Sequence, residues 1–87
     1  MAIEYLAYFQ RERFEAFKRL LGSGLPDTYD AWFRFQADRR QQIVRNGLWA
    51  LGVEVDPDEF VAWIVANGRE PSANVLDEFA SFEGGRI

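Results

Sequence analysis

Within VEVDPDEF, Glu54, Asp56, Asp58 and Glu59 place four carboxylates in six residues, where an extended pattern runs into a helical one. Oxygen-rich clusters of this kind suit hard divalent cations, but this spacing lacks the glycine and the terminal bidentate glutamate of a calcium loop. Helix initiation is the better use of the segment. Asp56 is placed to cap, Pro57 to take the first helical position where its missing N–H costs nothing, and Glu59 to complete a capping box.

Nucleophilic chemistry is poorly provided for, because the chain has no Cys and no His. Triads and thiolate mechanisms are therefore excluded, and a Ser–Lys dyad would have to use Lys18, the only lysine. Paired carboxylates can do acid/base work, yet 87 residues leave little room for both a core and a deep cleft. The chain is expected to be non-catalytic, with no cofactor and no metal. A metal-dependent enzyme built on VEVDPDEF is the weakest reading carried forward.

Arg34, Arg39, Arg40 and Arg45, interleaved with aromatic residues, invite a nucleic-acid reading. A helical wheel opposes it. Arg40 and Gln36 fall inside the apolar stripe, Asp30 and Asp38 neutralise the outer face, and the net charge is −4. No direct nucleic-acid binding is expected. A guanidinium on a core-facing stripe needs a carboxylate, so Arg40 is expected to tie its helix to an acid of the second half.

That half is rich in them. Residues 1–46 carry eight Lys/Arg against six Asp/Glu, and residues 47–87 carry two against eight. After the capping acids are set aside, the candidate partner-binding residues are Glu70, Asp77, Glu78 and Glu83 on and beside the last helix, with Asp58. The main expectation is a small interaction protein whose acidic half docks on a basic surface of a protein partner. Its sharper form is an inhibitor that occludes a nucleic-acid-binding groove by imitating phosphate charge, as small acidic anti-CRISPR proteins do. The alternative is a regulatory or structural subunit that associates through apolar helix or strand-edge surface, and a homodimer by strand addition belongs with it.

The elements that must position these residues follow from periodicity. Ile3, Tyr5, Ala7 and Phe9 alternate as a strand, and Phe14, Phe17, Leu20 and Leu21 form one side of a helix stopped by Gly22 and Gly24. A second helix is expected from an Asp27 cap to Asn46, with Tyr29, Trp32, Phe33, Ile43 and Val44 on one face and Asp30, Arg34 and Asp38 as an i, i+4 ladder on the other. Residues 48–55 read as a strand able to pair with the first. Phe60 to Ala66 form a helix that is apolar all round, hence central or covered by a partner. Ser72 caps a last helix carrying Val75, Leu76, Phe79 and Phe82 before a frayed Gly-Gly-Arg-Ile end.

The expected fold is α+β, with a two-stranded sheet packed by about four helices in the order β-α-α-β-α-α, as one domain over residues 1–87. The alternative is an all-α bundle in which residues 3–21 are a single helix. No apolar run is long enough for a membrane span and no signal peptide is evident, so a cytoplasmic location is the default expectation. LPDTYDAWF together with VEVDPDEFVAWIVANG resembles a group of small bacterial proteins of unknown function. The resemblance covers about residues 25–80 and implies a shared α+β fold, with no activity, cofactor or catalytic residue.

Overall fold

Alternating side chains and a β-branched, aromatic composition make strands of Ile3–Tyr8 (β1) and Trp49–Glu54 (β2) in the computed structural model, which describes residues 2–85. The two pair in parallel, with Ile3 opposite Trp49, Tyr5 opposite Leu51 and Ala7 opposite Val53. Parallel pairing requires a crossover, and the intervening helices supply it. They are Phe14–Leu21 (α1), entered through a 3-10 turn at Arg11–Arg13, and Tyr29–Arg45 (α2). After β2 come Pro57–Ala66 (α3) and Ala73–Gly85 (α4), so the expected β-α-α-β-α-α order holds. The strand at residues 3–8 rules out the all-helical alternative.

Local chemistry sets the ends of the helices. Asp56 Oδ2 accepts from the Asp58 and Glu59 amides at 3.0 and 3.1 Å, with Pro57 in the first turn as expected. The cap of α2 is Thr28 rather than Asp27: its hydroxyl accepts from the Ala31 amide at 3.1 Å. Ser72 caps α4 through the Val75 amide at 3.2 Å. Gly22 and Gly47 take positive φ, 53° and 80°, where α1 and α2 stop.

The core is aromatic. Phe9, fully buried just beyond β1, is stacked between Phe17 and Trp32, with centroids 4.4 and 4.0 Å away. Phe60 and Phe79 extend it at 5.5 Å, and Trp63 adds a further ring 5.4 Å from Phe79. Burying each such ring is worth on the order of 2–3 kcal/mol, and offset packing adds about 1 kcal/mol. Helix α4 lies across the face of the sheet that carries Tyr5. An added Cβ at Gly84 would overlap the Tyr5 ring, so the glycine permits a close approach. Gly84 is therefore docked rather than frayed, and Arg86 and Ile87 lie outside the described residues.

Helix α2 covers the opposite face, where Leu6 is buried and Ala50 and Gly52 keep the strand thin. Phe33 and Val44, placed by the wheel on its buried face, are at least half exposed, and only Trp32 and Ile43 of this helix are buried.

The two edges of the sheet differ. The Trp49 amide donates to Ala2 O at 3.1 Å and the Val55 amide to Tyr8 O at 2.8 Å, so even-numbered residues of β1 and odd-numbered residues of β2 bond across the ladder. On the outer edge of β1, Gln36 Nε2 donates to Ala7 O at 2.9 Å. Arg39 then donates to Gln36 Oε1 at 3.0 Å and to both oxygens of Asp77 at 3.3 Å. A polar strap from α2 to α4 thus guards that edge. Residue 36 was one of two polar positions on the apolar stripe, and an internal partner explains it.

Candidate partner-binding groove

Among the described residues, no hydrogen bond like that from Gln36 reaches the outer edge of β2. Beside it lies an open groove of about 900 Å³ bounded by Gly52, Val53 and Glu54 of β2, by Glu59, Ala62 and Trp63 of α3, and by Phe79, Phe82 and Glu83 of α4. The groove arises because α4 lies mainly over β1 and because α3, leaving β2 through the Asp56–Pro57 turn, stands off from the strand. Its floor is apolar and aromatic, with Trp63 half-buried and Phe82 46% exposed. Trp49 and Leu51, 56% and 43% exposed on the same sheet face as Val53, continue the apolar strip along the strand. Among the described residues, Glu54, Glu59 and Glu83 are the charged side chains that line it. Aromatic surface inside a charged rim is the anatomy of a protein interface.

Helix α3 accounts for part of this surface. Its all-apolar body buries only Phe60 and Ile64 fully, while Val61 and Val65 face outward, Val65 at 75% exposure. The helix is therefore not central, and the expectation that it be central or covered by a partner is met within the chain on one side only. Phe82, expected in the core, instead stands beside Trp63 with centroids 6.0 Å apart at the mouth of the groove.

The acids singled out from the sequence fall into three groups. Glu83 lines the groove with Glu54 and Glu59. Asp77 and Glu78 are engaged by arginines, Asp77 by Arg39 across the fold and Glu78 by a two-point pair with Arg69, one contact of which is 3.0 Å. The hydrogen bonds from Arg69 hold the Glu78 carboxyl below the usual glutamate range against the opposing effect of burial, with the Arg69 charge adding to the lowering, and Arg69 is correspondingly raised. Asp58 and Glu70 are exposed, in the first turn of α3 and the α3–α4 connection. The outer face of α4 is thus less acidic than its own sequence, because its basic partners come from α2 and from the turn before it.

Arg40 does not make the expected tie. The residue that joins α2 to the acidic half is its neighbour Arg39, which the helical turn aims at α4. Arg40 is exposed at the mouth of a second, smaller cleft of about 220 Å³ between α2 and the sheet, lined also by Trp32, Phe33, Ala50 and Gly52. Asp30 likewise pairs outside the expected ladder, with Arg11 at 2.6 Å. The same Arg11 lies over the Tyr29 ring at 4.8 Å. Burial raises the Tyr29 phenol, Tyr8 adds to the rise, and Arg11 opposes it.

Among the described residues, no three acidic groups converge to hold a metal ion. Asp56, the centre of the VEVDPDEF cluster, is engaged in capping and lies 3.8 Å from Arg13. No described helix is long and apolar enough to cross a membrane. No family model, curated protein or solved structure matches the chain, so the LPDTYDAWF and VEVDPDEF resemblance carries no family assignment.

Proposed function

We propose that the chain is a non-catalytic interaction protein that binds a basic surface of a protein partner, in a cytoplasmic setting. The observation that carries this reading is the groove beside β2, where exposed aromatic rings are rimmed by Glu54, Glu59 and Glu83. The contact area would supply affinity, and the carboxylates would steer a cationic partner and repel anionic ones. This shifts the expected surface. Asp77 and Glu78 contribute to holding the fold, while Glu54, Glu59 and Glu83 take the binding role, with Glu70 and Asp58 adding to the field around them. A basic surface that ordinarily holds nucleic acid is one partner of this chemistry, and occluding it would be inhibition. A subunit that associates mainly through apolar contacts is the second reading, favoured by the exposure of Val61 and Val65.

Partner capture with immobilised protein at about 50 and about 500 mM salt tests both, since screening shortens the reach of charge but leaves apolar contact intact. The expected result is a partner retained at low salt, lost at high salt, and lost at low salt from the Glu54→Lys, Glu59→Lys double variant. A partner held equally by that variant and at both salt concentrations overturns the acidic-groove reading in favour of apolar association.

A further inference from the structure

We propose that the occupant of the groove is an extended cationic segment of the partner that adds to the sheet as a third strand along β2. The inference rests on the reading above and specifies its mode. The ladder phase leaves the N–H and C=O groups of Ala50, Gly52 and Glu54 pointing away from β1, toward an edge that no third strand covers among the described residues. Unpaired strand edges are templates for strand addition, and folds commonly blunt them. Among the described residues, one edge is blunted and the other is not. Gln36, Arg39 and Asp77 close β1 at Ala7, whereas β2 is exposed or half-exposed at every residue.

The side chains around the bare edge select the occupant. A strand laid against Ala50–Glu54 would send alternate side chains toward the apolar floor at Val53, Trp63 and Phe82. Its charged positions would run beside Glu54 and Glu59. The matching sequence alternates apolar residues with Lys or Arg. A second copy of the chain fits poorly, because it would bring a second set of Glu54 and Glu59 to an edge that already carries both. A helical ligand would leave the edge amides unpaired, and a nucleic acid would bring phosphates to the glutamates.

The test uses a terminally blocked nonapeptide of alternating lysine and valine, the same peptide N-methylated at the residues facing β2, and a helix-forming lysine/alanine peptide of equal charge, each titrated into the whole protein at about 50 mM salt. The expected result is that the plain strand peptide binds and slows hydrogen exchange at the Ala50, Gly52 and Glu54 amides. N-methylation should weaken it by about tenfold or more, as loss of two or more backbone hydrogen bonds predicts. Equal binding by all three peptides without protection of those amides overturns strand addition and leaves the acidic groove standing. No binding by any of them overturns strand addition and the charge-driven groove together. Protection of Ala2 to Tyr8 in place of the β2 amides would also overturn it, by locating the added strand on the wrong edge.

Discussion

Arg69 and Glu78 form a two-point pair on the surface, linking the connection before α4 to its middle. The depressed Glu78 pKa fixes the sign of its effect: its contribution to stability is present above the ordinary glutamate range and is lost as pH falls through its lower folded value. In an NMR titration Glu78 should therefore titrate below the ordinary glutamate range, and Arg69→Gln should move it back up. An unchanged Glu78 midpoint in Arg69→Gln would show that the pair does not form in solution. Neither this pair nor Arg39–Asp77 is readable from the chain. The wheel placed Arg40 on the apolar stripe and pointed to no partner for Arg39, and the direction in which α4 approaches decides which of the two meets a carboxylate. The need for a cross-fold ion pair was legible, but its donor depends on packing. Gln36 was the reverse case, since a polar residue on an apolar stripe announces an internal partner, here Ala7 O.

Elements were read most securely where local chemistry is self-contained. Asp56-Pro57 with two acids behind it sets the start of α3, and the strand alternation of residues 3–8 and 49–54 survives in the fold. The start of α2 was less determinate, because Asp27 and Thr28 are adjacent and both cap well. The geometry selects Thr28, whose extended backbone aims its hydroxyl at Ala31. Thr28→Ala should accordingly cost about 1 kcal/mol in urea denaturation, within the usual range for lost caps. Asp27→Ala, which removes only an exposed carboxylate 3.7 Å from Lys18, should stay within about 0.5 kcal/mol of the parent. The opposite ranking would move the cap back to Asp27. Whether β2 would be covered was beyond pattern reading altogether. Trp49, Leu51 and Val53 alternate as a buried strand would, yet α4 lies mostly over β1 and leaves the first two in the open.

Across the whole molecule, the basic first half and the acidic second half meet at Arg13–Asp56 and Arg39–Asp77, while Arg11–Asp30 and Lys18–Asp27 pair within the first half. Glu54, Glu59 and Glu83 collect beside the exposed aromatic strip, so acidic and apolar surface of the second half belong to one face of the fold. A face retained for binding should be separable from the core that sustains the domain. Trp49→Thr with Phe82→Gln keeps strand and helix preferences while removing two rings that are 56% and 46% exposed. That double variant should keep its unfolding free energy within about 1 kcal/mol, as surface substitutions do, while losing partner capture. Phe79→Ala, a single change at a ring only 1% exposed, should cost about 3–5 kcal/mol, enough to unfold much of a domain whose margin is modest at this size. Urea midpoints compared at constant m-value distinguish the two outcomes. If the double variant fell as far as Phe79→Ala, the exposed strip would be part of what holds the fold together, and its claim to be a binding face would lapse.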